Sequence, residues 1–188
     1  MALRDIPNII SLLRILLVFP VVWWLLNQEY SLALLLFFVA GISDGIDGYL
    51  AKRNHWQSRL GSILDPLADK LLLISTYMSL AWLGNIPMWL VFLVLLRDLI
   101  IILGAVAYHV KFGEFEMTPT VVSKINTFFQ ILLVLAVMFS LGLYSLPGRT
   151  LEYLTYAVLA TTLMSGADYI WVWGKRALSA QRQERAQQ

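Results

Sequence analysis

The sequence contains no cysteine and only two histidines. The absence of cysteine excludes a disulfide framework and a cysteine-based zinc site. Neither His55 nor His109 has a second histidine at ligand spacing, so we interpret both as surface or interfacial residues. Charge is also scarce, at 14% of the residues, and the net charge of +2 gives no sign of a nucleic-acid partner.

Apolar residues dominate what is present. They form 59% of the 188 residues, and the mean hydropathy is +0.71. A soluble domain of this size would expose large apolar patches, whereas a lipid bilayer would solvate them. Long apolar runs without strand-like alternation predict helices. We therefore predict an all-α integral membrane bundle of six transmembrane helices, at residues 9–26, 32–50, 63–83, 88–110, 121–143 and 151–173.

The cations in the predicted connections lie almost entirely on one side. One set of connections contains only Arg149. The other set and the two ends contain Arg4, Lys52, Arg53, Arg59, Lys111, Lys175, Arg176, Arg182 and Arg185. The positive-inside rule then places both termini in the cytoplasm. We expect a membrane domain over residues 1–174, followed by a polar cytoplasmic tail, 175–188, that is a frayed helix end.

Four acidic residues interrupt the apolar sequence between residues 43 and 70. Asp44 and Asp47 are three residues apart near the end of the second predicted span, and Asp65 and Asp69 are four apart near the start of the third. Each spacing places its pair on one helical face. Because a short loop joins the two helices, we expect the four carboxylates to converge just inside the cytoplasmic side.

Converging carboxylates repel one another, and a divalent cation that prefers oxygen ligands removes this repulsion. The alternative is that the acids are ordinary helix-end residues in solvent or in salt bridges. Gly45, Gly48 and Gly61 favour a ligand site, because they let phosphates approach the backbone. We predict that Asp44, Asp47, Asp65 and Asp69 bind Mg²⁺ or Mn²⁺.

The segment from Asp44 to Asp69 reads D-x2-D-G-x2-A-K-x8-G-x3-D-x3-D. It resembles the signature of the CDP-alcohol phosphatidyltransferases. The N-terminal stretch "IPNIISLLR" and the six-span layout are also similar to that family, so the likeness covers most of the chain. One departure is Lys52, where the family usually has arginine. Lysine keeps the charge but loses the bidentate fork, and we expect Arg53 to share its contact.

The resemblance implies that CDP-diacylglycerol donates a phosphatidyl group to an alcohol and that CMP leaves. It assigns Asp69 as the general base that takes the proton of the acceptor hydroxyl. It also implies a nucleotide pocket whose CDP-binding residues are Asp44, Gly48, Ala51, Lys52, Arg53 and Gly61. The bilayer would deliver the lipid substrate directly to this site.

The acceptor is predicted from four cations within or near the spans. Such charges either pair with acids or hold the acceptor's phosphate. The candidates are Arg14, Lys70, Arg97 and Lys124, and Asp168 in the last span has either a packing or a chemical role. The segments "LRDLIIILGAVAYHV" and "TPTVVSKINTFFQILLV" are most similar to eukaryotic-type cardiolipin synthases, whose acceptor is phosphatidylglycerol. The alternative is a phosphatidylglycerophosphate synthase, which uses glycerol 3-phosphate.

Two further function classes remain open at this point. An ion-coupled transporter also uses intramembrane acids, although here the acids cluster at one interface and no inverted repeat is visible. A non-catalytic scaffold would not need four clustered carboxylates. We expect a multi-pass protein of the bacterial inner membrane with its active site facing the cytoplasm, in preference to the mitochondrial inner membrane. The resemblance also implies a homodimer, because dimerisation is common in that family.

Overall fold

The computed structural model describes the backbone of residues 6–54, 61–112 and 120–186, and side chains mainly within 10–43, 67–104 and 120–172. These backbone ranges are helical and contain no strand, which confirms the predicted all-α class. The helices are α1 (Ile6–Leu26), α2 (Tyr30–Asn54), α3 (Gly61–Trp82), α4 (Met88–Phe112), α5 (Val121–Gly142) and α6 (Gly148–Ala186).

Most of the predicted tail continues the last helix. We expected a frayed end after residue 174, but α6 continues as a helix to Ala186 and has 39 residues. Its length is about 58 Å, nearly twice the ~30 Å of a bilayer's hydrocarbon core. The last residues are rich in Ala, Arg, Gln and Glu and contain no proline, so they favour helix even though they are polar. For the same reason α2 extends beyond the predicted span to Asn54.

Two tight turns explain the short connections after α1 and α3. In the second turn Gly84 has φ of +77°, its N–H donates to the Ala81 carbonyl, and the Asn85 N–H donates to the Leu80 carbonyl. This is a Schellman C-cap, in which glycine fits the left-handed conformation at low cost. The first turn has the same pattern around Gln28, with φ of 62°.

The chain divides into two compact units. The first comprises Met1–Met88 and Val134–Pro147, and the second comprises Trp89–Leu133 and Gly148–Gln188. In the first unit α1 packs against both α2 and α3. Its buried apolar residues include Val21, Leu25, Phe37, Leu72 and Leu80. In the second unit Leu90, Val91, Val94, Leu133 and Val158 are buried.

Both units have an apolar exterior and bury several polar side chains. Phe19, Trp82 and Phe92 are exposed, whereas Arg14 and Asn126 are buried. This distribution suits a lipid solvent, in which apolar groups face outward and polar groups need internal partners. Within the described residues one helix, Val121–Gly142, is both long and apolar enough to cross a bilayer by length and composition. The six predicted helices are thus confirmed, whereas six membrane spans and cytoplasmic termini stay predictions.

Candidate functional site

The helices that carry the four motif acids share one neighbour. Asp44 and Asp47 belong to α2, Asp65 and Asp69 belong to α3, and α1 packs against both helices. The side chains of Asp44, Asp47 and Asp65 lie outside the described residues. Within the described part of the chain no group of three metal-binding side chains is found. The convergence of the four carboxylates therefore stays a prediction.

Asp69 is the motif acid whose side chain the structure describes. Nη1 of Arg14 on α1 donates a hydrogen bond to Oδ1 of Asp69 at 2.5 Å. The two side chains differ sharply in accessibility, because Arg14 is 1% exposed and Asp69 is 52% exposed. The Asp69 carboxylate is thus accessible while one of its oxygens is held by a buried guanidinium. Its hard oxygen donors and its accessibility suit a ligand of Mg²⁺ or Mn²⁺.

The predicted nucleotide-binding positions fall on the same two helices. Gly48, Ala51, Lys52 and Arg53 lie on the last turns of α2, and Gly61 begins α3. The structure describes the helical backbone at these positions and at His109, and their side chains lie outside the described residues. His55 and Arg59 lie outside them entirely. Lys70, which follows Asp69, has an exposed side chain.

Arg97 on α4 is the centre of a buried polar group in the second unit. Its Nη1 donates to Oδ1 of Asp98 at 2.7 Å, and its Nη2 donates to the hydroxyl of Ser123 on α5 at 2.6 Å. Nη2 also donates to the hydroxyl of Ser165 on α6. Three helices therefore supply the oxygens around one guanidinium. We call Arg97, Asp98, Ser123 and Ser165 the arginine cluster.

Local structure fixes the position of Ser123. The hydroxyl of Thr120 accepts a hydrogen bond from the Ser123 N–H at 3.2 Å, so Thr120 is the N-cap of α5. This cap places Ser123 in the first turn, where its hydroxyl reaches Arg97. Lys124, the other predicted acceptor-binding cation on this helix, is its immediate neighbour and is exposed.

A second polar contact joins α5 and α6 one turn further along. Oδ1 of Asn126 accepts from the hydroxyl of Thr162 at 2.9 Å. It also lies 3.0 Å from the hydroxyl of Thr161, which can donate instead to the Ala157 carbonyl of its own helix at 2.8 Å. Asn126 is fully buried. On α6 this contact lies one turn before Ser165, so it supports the helix pair that presents the two serine hydroxyls to Arg97.

Asp168 lies one turn after Ser165 on α6. Its Oδ2 is buried, and within the described residues it has no hydrogen-bond partner. The structure thus gives Asp168 no ordinary packing role through this oxygen. Nε of Arg97 is buried without a partner in the same sense. A bound ligand could form hydrogen bonds with both atoms, because the Asp168 oxygen accepts a hydrogen bond and the Arg97 nitrogen donates one.

The structure brings together some predicted residues and adds others. It pairs Arg14 with Asp69 and Arg97 with Asp98, which is the acid-pairing alternative for these cations. Sequence reasoning missed Ser123, Asn126 and Ser165. A signal was present, because Ser123 and Asn126 are three residues apart in an apolar helix and therefore share one face.

Comparisons with known proteins give a consistent result. The model of the family described as CDP-alcohol phosphatidyltransferase matches residues 4–171. A cardiolipin synthase (CMP-forming) of Rattus norvegicus is 34% identical in an alignment 149 residues long that covers 70% of this chain and 49% of that protein. Another of Streptomyces coelicolor is 38% identical over 112 residues, 55% of this chain and 52% of that protein.

A relative named for a different activity matches over a longer stretch. The CDP-diacylglycerol–glycerol-3-phosphate 3-phosphatidyltransferase of Aquifex aeolicus is 28% identical over 171 residues, which cover 88% of this chain and 93% of that protein. By contrast, the chain spans about half the length of the mammalian cardiolipin synthases that it matches. The relatives therefore include two acceptor types.

Proposed function

This chain belongs to the CDP-alcohol phosphatidyltransferase family, and we propose that it transfers a phosphatidyl group from CDP-diacylglycerol to phosphatidylglycerol. The products are cardiolipin and CMP. Two features support the transferase chemistry: all four aspartates of the motif are present from Asp44 to Asp69, and the family model covers residues 4–171. Release of CMP separates this function from an ion-coupled transporter, which would release none.

The proposed reaction is a substitution at phosphorus. The hydroxyl oxygen of the acceptor forms a bond to the phosphorus that carries diacylglycerol. The bond between that phosphorus and the oxygen of CMP breaks, and CMP leaves with the electron pair. Asp69 takes the proton of the acceptor hydroxyl, a role that its accessible carboxylate permits. Lys52 and Arg53 contact the anionic phosphates of the donor.

We propose that Asp44, Asp47, Asp65 and Asp69 hold two Mg²⁺ or Mn²⁺ ions. Four carboxylates are the oxygen donors that these ions prefer. Bound metal would neutralise the diphosphate and the charge that develops on departing CMP. Gly48, Ala51 and Gly61 carry small or no side chains, so they leave room for the nucleotide beside the acids.

The choice of acceptor rests on the Arg97–Asp98 pair. Asp98 lies 2.7 Å from the guanidinium and already balances its charge. A phosphate monoester such as glycerol 3-phosphate carries a charge of about −1.5 to −2 at pH 7. The diester of phosphatidylglycerol carries a single negative charge. A site whose arginine is already neutralised, with Lys124 beside it, suits the singly charged diester better.

The alternative acceptor is glycerol 3-phosphate. The Aquifex relative favours it, because that protein is named for this acceptor and matches over 93% of its own length. The same residues would serve in this case. Exposed Lys124 would meet the phosphate monoester, with Arg97 buried behind it in its pair with Asp98, and the donor chemistry at Asp69 would be unchanged.

An acceptor assay tests the proposal. Purified protein with Mg²⁺ or Mn²⁺ receives CDP-diacylglycerol and either phosphatidylglycerol or glycerol 3-phosphate, and CMP and the lipid product are quantified by mass spectrometry. We expect cardiolipin in the first arm only. Consumption of glycerol 3-phosphate with phosphatidylglycerol left intact would overturn the acceptor assignment. The absence of CMP in both arms would overturn the proposed transferase activity.

We also propose that all six helices cross the inner membrane of a bacterium, with both termini and the acids on the cytoplasmic side. The natural absence of cysteine makes this directly testable. Ser145→Cys, in the connection before α6, should react with an impermeant maleimide in intact cells. Ser179→Cys should react only after the membrane is opened. The opposite labelling pattern would invert the topology.

A further inference from the structure

Arg14 is the largest fully buried side chain that the structure describes in the first unit. It lies on α1, nine residues into a helix that is otherwise mostly apolar. A buried guanidinium is costly unless an anion and hydrogen-bond acceptors compensate it. The anion is Asp69, whose Oδ1 is 2.5 Å from Nη1 of Arg14. The only motif acid with a described side chain is therefore anchored by α1.

The two partners differ in which of them a substrate can reach. Arg14 is 1% exposed, and Asp69 is 52% exposed. A residue that captured the phosphate of an acceptor would need its guanidinium at an accessible surface. In this pair the accessible member is the carboxylate, and the arginine lies behind it. Arg14 therefore acts on any substrate through Asp69.

We propose that Arg14 is a positioning residue for Asp69 and not an acceptor-binding residue. It holds Oδ1 and so fixes the rotamer in which the accessible part of the carboxylate meets the substrate. It also places a permanent positive charge beside one of four acids that would otherwise repel one another. This inference rests on the proposed function, in which Asp69 takes the acceptor's proton.

The position of α1 explains why this helix carries the arginine. It packs against α2 and against α3, the two helices that bear the motif acids. Arg14 on α1 can therefore fix the position of Asp69 relative to both α2 and α3. A hydrogen bond at 2.5 Å between charged groups is short and directional, so it defines an orientation as well as a charge.

Steady-state kinetics distinguish a positioning role from an acceptor-binding role. Arg14→Gln should lower kcat about 100-fold, since misplacing a reacting group by about 1 Å has this effect. The KM for phosphatidylglycerol should stay within about twofold, because no ground-state contact is lost. Arg14→Lys should restore part of kcat, since it returns the charge without the planar fork. Arg149→Gln, which removes an exposed arginine at the start of α6, is the matched control and should leave both constants unchanged.

A double-mutant comparison tests whether Arg14 acts through Asp69. Asp69→Asn alone should lower activity severely, and Arg14→Gln added to it should lower activity no further. If the activity of Asp69→Asn is too low to measure, thermal unfolding in detergent with a chelator gives the same comparison. There Arg14→Gln should lower Tm by about 2–4 °C, because the carboxylate that it leaves unmatched is half exposed and stays hydrated. In the Asp69→Asn background the further loss should be much smaller.

Each outcome separates this inference from the proposed function. If Arg14→Gln raises the acceptor KM more than tenfold and kcat is unchanged, Arg14 binds the acceptor and the inference is wrong. The inference also fails if the losses from Arg14→Gln and Asp69→Asn are additive in both readouts. If the unaltered protein releases no CMP with either acceptor, the proposed function fails, and the unfolding comparison still tests the Arg14–Asp69 coupling.

Discussion

The arginine cluster predicts a graded response when the partners of Arg97 are removed one at a time. Asp98→Asn removes the anion, Ser165→Ala removes a buried hydroxyl, and Ser123→Ala removes a hydroxyl that is only partly buried. All three changes act on one guanidinium. The loss in the free energy of unfolding should therefore be larger when the lost partner is charged or more deeply buried.

The expected magnitudes differ enough to be ranked. The side chains of Arg97 and Asp98 are 8% and 12% exposed, and breaking a buried pair by removing one partner costs about 3–5 kcal/mol. Loss of a neutral acceptor from a charged donor costs about 1.5–3 kcal/mol when the site stays dry, as expected for Ser165. Water can replace the Ser123 hydroxyl, so we expect about 0.5–1.5 kcal/mol there.

Thermal unfolding in mild detergent measures this order. One kcal/mol corresponds to about 2–4 °C in a protein of this size, so Asp98→Asn should lower Tm by about 6–20 °C. A matched control is Thr127→Ala, since the Thr127 hydroxyl is exposed and bonds to the Ser123 carbonyl of its own helix. The reasoning is refuted if Ser123→Ala costs as much as Asp98→Asn. It is also refuted if the cost of Asp98→Asn persists undiminished after Arg97→Met.

Three further predictions follow from other parts of the molecule. A Cβ at Gly142 would lie 2.7 Å from the backbone N of Ser31, so Gly142→Ala should lower the free energy of unfolding by about 1–3 kcal/mol. A Cβ at Gly41 would meet open space, so the control Gly41→Ala should leave the free energy of unfolding unchanged or raise it by up to about 1 kcal/mol. Asn126→Ala should cost about 1–2 kcal/mol by the same assay, because the buried Thr162 hydroxyl loses its acceptor while that of Thr161 keeps the Ala157 carbonyl; a cost below that of Thr127→Ala would contradict the hydrogen-bond assignment. A chelator should abolish CMP release, and Mg²⁺ or Mn²⁺ should restore it; full activity in chelator would remove the metal from the proposed reaction.

Hydropathy predicted the existence of each helix well, because a run of about 20 apolar residues is a strong local signal. It predicted the ends of α2 and α6 poorly. Hydropathy reports where a segment would leave lipid, whereas helix continuation depends on backbone propensity. After Gly174 the residues are polar but favour helix, so the helix outlasts the apolar segment.

The candidate site was partly predictable for a similar reason. The spacing of Asp44, Asp47, Asp65 and Asp69 is visible in one dimension and resembles a known motif. The partners of Arg14 and Arg97, by contrast, cannot be identified from the spacing of residues in the sequence. Asp69 is 55 residues from Arg14, and Ser165 is 68 residues from Arg97. Such pairs depend on which helices pack together, and a single sequence gives no direct signal of that.

The burial of Arg14 has a consequence for the order in which the chain is assembled. Arg14 lies about 12 Å along α1 from its start, while the acid that neutralises it is made 55 residues later. At about 5–20 residues per second, several seconds of synthesis separate the two. During that interval the nascent first helix carries an uncompensated cation, which costs about 2.5–3.5 kcal/mol at the centre of a span. In the proposed six-span topology, the insertion of α1 therefore becomes more favourable once α3 has emerged from the ribosome and Asp69 can pair with Arg14.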